Sequence, residues 1–135
     1  MILYIDTTDN NKMILALFRK EKENYILQKK KNIPALRRQA EKLLPSIEKL
    51  LGDFSLMIKD IEMIVVNNYG GSFTSLRIGV VTANALAYAL KSEIRSGRLE
   101  EKKLIVDKKT EKKFSSYFII EAMYSSEPNI GKSKK

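Results

Sequence analysis

Asn67-Asn68-Tyr69-Gly70-Gly71-Ser72-Phe73-Thr74-Ser75-Leu76-Arg77-Ile78-Gly79, continuing through Val80-Val81-Thr82-Ala83-Asn84-Ala85-Leu86-Ala87-Tyr88-Ala89-Leu90, is the stretch that decides the fold. An apolar, strand-like run at residues 61–66 stops at this polar, double-glycine turn. The turn feeds a helix in which Gly79, Ala83 and Ala87 recur at i, i+4 and i+8, so one face carries only small side chains. A strand, a glycine turn and a small-faced helix let the backbone approach something closely twice. Two readings stand side by side. One is a plain strand-to-helix connection in an α/β core. In the other, Gly70, Gly71 and Ser72 hold amides toward an anion at a helix N-terminus, and the Gly/Ala stripe docks a second helix.

Upstream, residues 2–5 form a short apolar strand ending in Asp6-Thr7-Thr8, and Asp9-Asn10-Asn11 is turn chemistry. Residues 12–19 return as a second strand, apolar on both faces and suited to a central position. Residues 25–31 alternate like an edge strand, with lysines that discourage edge pairing. After the break at Asn32-Ile33-Pro34, Leu36, Ala40, Leu43, Leu44, Ile47, Leu50 and Leu51 fall on one face of an amphipathic helix. Pro45 lies inside it and Gly52 ends it. Residues 61–66 are then a fourth strand, reached through a helix and so parallel to the first.

From Lys91 the chain turns polar. Residues 104–106 supply a fifth strand and residues 117–120 part of a hairpin, separated by the basic stretch 108–113. The expectation is one α/β domain over residues 1–125 and a basic tail at 126–135. Its mixed five-stranded sheet has three antiparallel strands first, with flanking helices. That element order is the single lobe of the RNase H-like, or actin-like ATPase, architecture.

With 44% hydrophobic and 30% charged residues, 135 residues suffice for an ordinary core. No apolar run approaches the roughly 18–20 residues of a membrane span. No basic leader precedes the first strand, so the expected location is cytoplasmic and away from membranes. The absence of cysteine fits that compartment and excludes thiolate chemistry, and the absence of histidine excludes Ser–His and Cys–His catalysis by this chain. No catalytic residue and no metal ligand set is expected. Net charge of +9 predicts attraction to polyanions, densest at Lys102, Lys103, Lys108, Lys109, Lys112, Lys113 and the tail lysines. These lysines are either solubilising surface or an electrostatic footprint; lysine lacks the fork for bidentate recognition. Asp6 either caps its own turn or holds a metal through water.

The segment Gly71-Ser72-Phe73-Thr74-Ser75-Leu76-Arg77-Ile78-Gly79-Val80 resembles the signature of the bacterial TsaB family, non-catalytic partners of the TsaD enzyme that makes threonylcarbamoyladenosine beside the anticodon of tRNA. Three stretches fit in order. Ile5-Asp6-Thr7-Thr8 resembles the opening strand and turn. Gln39-Ala40-Glu41-Lys42-Leu43-Leu44-Pro45 resembles a helix where the family has His-Ser-Glu-Arg-Leu-Leu-Pro. Ala122-Met123-Tyr124-Ser125-Ser126-Glu127-Pro128 resembles the closing tail. Tyr69-Gly70-Gly71 replaces the usual Gly-Pro-Gly, Ser75 a glycine and Gln39 a histidine.

The resemblance implies a TsaB-like scaffold with its second lobe missing or reduced. Its partners would be a TsaD-like catalytic subunit, a TsaE-like ATPase or a second copy of the chain, with tRNA met through the complex. In the family the two helices pair with those of TsaD, which places the interface at Leu36, Ala40, Leu43, Leu44, Ile47, Leu76, Gly79, Val80, Ala83 and Ala87. Asp6, Thr7, Thr8, Gly70, Gly71 and Ser72 correspond to a degenerate phosphate site. No cofactor is implied beyond weak ATP and magnesium at a partner interface. Lys108, Lys109, Lys112 and Lys113 would contact tRNA electrostatically. A basic RNA-binding module working without TsaD and a degenerate actin-like nucleotide binder are the alternatives.

Overall fold

A computed structural model describes residues 1–108, 112–114 and 117–123. Strands β1 (Ile2–Asp6), β2 (Lys12–Glu21) and β3 (Asn24–Pro34) form the expected antiparallel meander. Helix α1 (Gln39–Asp53) leads to β4 (Met63–Val66), which pairs parallel with β1. Helix α2 (Phe73–Leu90) leads to β5 (Glu93–Glu100), parallel to β4, and β5 turns into antiparallel β6 (Lys103–Val106). The sheet order is β3-β2-β1-β4-β5-β6; β7 (Lys112–Phe114) and β8 (Tyr117–Ile119) make a separate hairpin.

Six strands therefore stand where five were expected. The missed strand is β5, and its residues explain the omission. Only Ile94, Ser96 and Gly97 are buried along it, so Glu-Ile-Arg-Ser-Gly-Arg-Leu-Glu carries no apolar run. Its first half pairs with β4 and its second with β6, so tertiary pairing rather than propensity makes it a strand.

Alternation along the central strands builds two cores. Leu3 and Ile5 of β1, Met13, Leu15 and Leu17 of β2, and Ile64 and Val66 of β4 face the helices. There they meet Leu43, Ile47, Leu50 and Leu51 of α1 and Leu76, Val80, Ala83 and Ala87 of α2. Ile2, Tyr4, Ala16, Phe18, Met63 and Val65 face the other way and are covered by Leu104, Tyr25, Leu27, Leu99 and Val106. The second core exists because the sheet curls until β3 and β6, its two edges, approach each other. A register shift opposite Leu17/Phe18 leaves Gln28 unpaired in β3, and such a bulge sharpens strand twist.

Helix α1 begins later than the apolar spacing indicated. The amides of Ala35, Leu36 and Arg37 donate to carbonyls of Asn11 (2.8 and 3.1 Å) and Asn10 (2.8 Å), which ties residues 35–37 to the β1–β2 turn. Leu36 takes a positive φ and lies 69% exposed, outside the helical stripe. Pro45 sits within α1, which continues through it. By length and composition α2 could cross a membrane, contrary to the sequence expectation; here one face of it packs into the sheet core.

Candidate functional site

The junction of β1, β4 and α2 gathers every residue of the expected phosphate site. Asp6 ends β1, and its carboxylate accepts from the Thr8 amide (2.9 Å), Thr8 Oγ1 (2.7 Å), the Tyr4 hydroxyl (3.1 Å) and Asn67 Nδ2 (3.2 Å). Four donors occupy most of the lone-pair sites a carboxylate has. Of its two readings, Asp6 thus takes the local one and caps its own turn. Among the described residues, no three acidic side chains gather as metal ligands. Tyr4 is fully buried; burial, with the Asp6 charge adding to it, pushes its phenol well above the ordinary range.

The glycine turn is spent in the same way. The Gly70 amide donates to the Met123 carbonyl (3.0 Å) and the Ser72 amide to the Thr8 carbonyl (3.0 Å). Gly71 has φ +70°, and a Cβ there would lie 2.2 Å from the Thr8 carbonyl oxygen. Glycine is required at 71 for the approach of its own β1–β2 connection, not of a phosphate. The Thr7 hydroxyl donates to the Ser75 carbonyl and accepts from the Gly79 amide at 3.0 Å, bridging two groups of the first helical turns. The residues of the expected phosphate site meet in a hydrogen-bonded junction, in which the amides of Thr8, Gly70 and Ser72 have partners inside the chain.

The expected partner interface divides. Leu43, Ile47, Leu76, Gly79, Val80, Ala83 and Ala87 are buried on the helix side of the sheet, with Ala83 fully inaccessible, so the small-residue stripe packs on the sheet. The physical reason is distance. A Cβ at Gly79 would sit 2.5 Å from Thr7 Oγ1, so the stripe is what lets α2 lie directly on the end of β1. Leu36, Ala40 and Leu44 remain at the surface, joined by Phe73, Val81 and Tyr88 on α2. Lys108 is exposed; Lys109 lies outside the described residues, and Lys112 and Lys113 belong to β7. The expected tail, 126–135, also lies outside them.

Two polar devices escaped the sequence reading. Gln39, buried at the start of α1, donates to the carbonyls of Asp9 (2.7 Å) and Asn10 (2.9 Å), while Ser75 Oγ donates to Asn10 Oδ1 (2.7 Å). This set holds both helices to the β1–β2 turn. Asn84 clasps the backbone of Ile120, donating to its carbonyl (2.7 Å) and accepting its amide (2.8 Å). Asn68 continues the clasp, with Nδ2 on the Glu121 carbonyl (2.7 Å) and its own carbonyl on the Met123 amide (2.6 Å). A lone asparagine inside an alanine-rich helix was the one available signal.

The model of the TsaD family, tRNA N6-adenosine threonylcarbamoyltransferase, matches residues 32–96, which hold both helices and β4. The tRNA threonylcarbamoyladenosine biosynthesis protein TsaB of Bacillus subtilis (strain 168) is 36% identical over 91 residues. Over that span the chain is similar to TsaB. The alignment takes in 66% of this chain and 37% of the Bacillus TsaB, so the chain spans little more than a third of that relative. YeaZ from Pseudomonas aeruginosa has a similar structure, with TM-score 0.53 and 25% identity over 70% of this chain and 41% of its own. A protein with similarity to the peptidase YeaZ from Pseudomonas aeruginosa shares the fold at TM-score 0.56 and 18% identity, over 79% of this chain and 63% of its own. The chain is thus an α/β lobe with the fold of these neighbours, spanning part of their length and one strand wider than its sequence indicated.

Proposed function

We propose that this TsaB-like chain is a non-catalytic scaffold that pairs with a TsaD-type subunit in threonylcarbamoyl transfer to adenosine of tRNA. The observation that carries the reading is the match of a TsaD-family model to the segment containing both helices. A chain and a partner that share one helix pair can meet about a local twofold axis, each offering the same face to the other. Apolar side chains are left for such a contact on both helices: Leu44, 49% exposed on α1, and Val81, 58% exposed on α2. A specific interface buries about 800 Å² on each side. In this reading Asp6, Thr7 and Thr8 serve the fold, their polar groups bonding within the chain.

The test is co-expression of the chain with a TsaD-type subunit followed by size-exclusion chromatography. Val81→Asp and Leu44→Asp place charge on half-exposed positions. They are expected to abolish co-elution while leaving the melting temperature within a few degrees of the parent. Retention of the complex by both variants would place the interface elsewhere. Self-association of the lone chain that both variants abolish would assign the face to a second copy.

A further inference from the structure

We infer that the groove between the two edges of the sheet is a binding site for single-stranded polynucleotide, separate from the helix face assigned to a protein partner. Curling brings β3 opposite the β5–β6 turn and leaves an open groove of about 810 Å³ lined by Tyr25, Leu27, Lys30, Glu100, Glu101, Lys102 and Lys103. Its floor is apolar and aromatic, since Tyr25 and Leu27 pack on the strand-side core. Its walls are basic. Lys30, Lys102 and Lys103 line the groove, against Glu100 and Glu101.

The acidic groups do not cancel this field. Glu100 is taken by Arg98 on its own strand, which leaves Glu101 alone against the three lysines of the lining. Among the described residues, Lys30, Lys102 and Lys103 form no ion pair, so three ammonium groups on the groove are left to a ligand. Lys20 adds a fourth charge 6.0 Å from the Tyr25 ring, at the outer limit of a cation–π contact.

Lysine ammonium groups recognise phosphate as point charges and do not read bases. A half-buried tyrosine presents a ring on which an unpaired base stacks, whatever its identity. Together they describe a sequence-tolerant site for single strands, RNA and DNA alike. A duplex, with its bases already stacked, would leave the ring unused. β3 reads in the sequence as a lysine-guarded edge, and the lysines at 102 and 103 lie some seventy residues away; only the curl of the sheet places them on one groove.

The site is tested by fluorescence polarisation of a labelled oligouridylate of about ten nucleotides, within the span such grooves cover, titrated with the full chain over a salt series. No partner subunit is present, so failure here would leave the scaffold reading untouched. Lys30→Gln, Lys102→Gln and Lys103→Gln combined are expected to weaken binding about tenfold or more. The slope of log affinity against log salt should fall by about 0.7 for each phosphate that is no longer neutralised. Lys49→Gln, Lys59→Gln and Arg77→Gln combined remove the same charge elsewhere and should change binding little. Tyr25→Leu, checked by thermal melting, should weaken binding without altering the salt slope. The inference is overturned by no binding of the parent chain, by equal weakening in the two triple variants, or by displacement of the oligonucleotide by polyglutamate at comparable charge concentration. The last result would assign the groove to an acidic protein segment.

Discussion

Thr7 and Gly79 fix where α2 sits. A single hydroxyl takes the Gly79 amide and gives its proton to the Ser75 carbonyl, so β1 and α2 meet with no room for a methyl group. Gly79→Ala is therefore expected to destabilise the fold by about 1–3 kcal/mol, read as a lower urea midpoint with an unchanged m-value. Helix propensity alone would favour alanine by about 1 kcal/mol, so a stabilised variant would show that the contact relaxes freely. Tyr4 gives a second prediction. Its phenol is held protonated by burial and by the neighbouring Asp6 charge, so its folded pKa lies above the unfolded value. Its contribution is complete below about pH 10 and is lost as pH rises beyond that, because the unfolded chain releases a proton that the folded chain retains. Stability should fall by up to about 1.4 kcal/mol per pH unit in that range. Tyr4→Phe should remove that part of the slope in urea titrations across alkaline pH.

At the scale of elements, the clasp on residues 120–123 is the feature that local sequence says least about. Asn84 supplies both hydrogen bonds to the Ile120 backbone, and Ile120 completes the helix-side core. Asn84→Ala leaves a buried amide and carbonyl without partners, expected to cost about 1–3 kcal/mol. Amide exchange at Ile120 should rise more than at Val65 in the sheet centre, and equal changes at both sites would show that the clasp is not local. Strands β1, β2 and β4 were legible because they are apolar on both faces, a property no surface segment shares. The start of α1 was not. Apolar spacing carried the helix back to Leu36, whereas the carbonyls of Asn10 and Asn11, in the β1–β2 turn, capture the amides before it. The site was half legible: the residues named at the β1–β2 turn and the glycine turn do converge, but hydrogen bonding turns them into a joint.

On the scale of the whole molecule, two cores share one set of central strands. Leu50→Ala in the helix-side core should cost about 2–5 kcal/mol and Phe18→Ala in the strand-side core about 3–5 kcal/mol. Because β1, β2 and β4 belong to both, each variant should still unfold in a single transition, with near- and far-ultraviolet circular dichroism coincident. Separate transitions would mean that the curled edge strands fold as an independent unit. The sequence by itself determined the order of the elements from β1 to α2 and the central strands. Alternation, glycine turns and helical spacing are local signals, written within a few residues of where they act. Only the tertiary structure decided that the Gly79–Ala83–Ala87 stripe faces inward, that β5 is a strand, and that Lys30 lies across a groove from Lys102 and Lys103. Each of these depends on which surface a distant segment comes to occupy, and small or polar side chains carry no local energy that distinguishes a partner within the chain from one outside it.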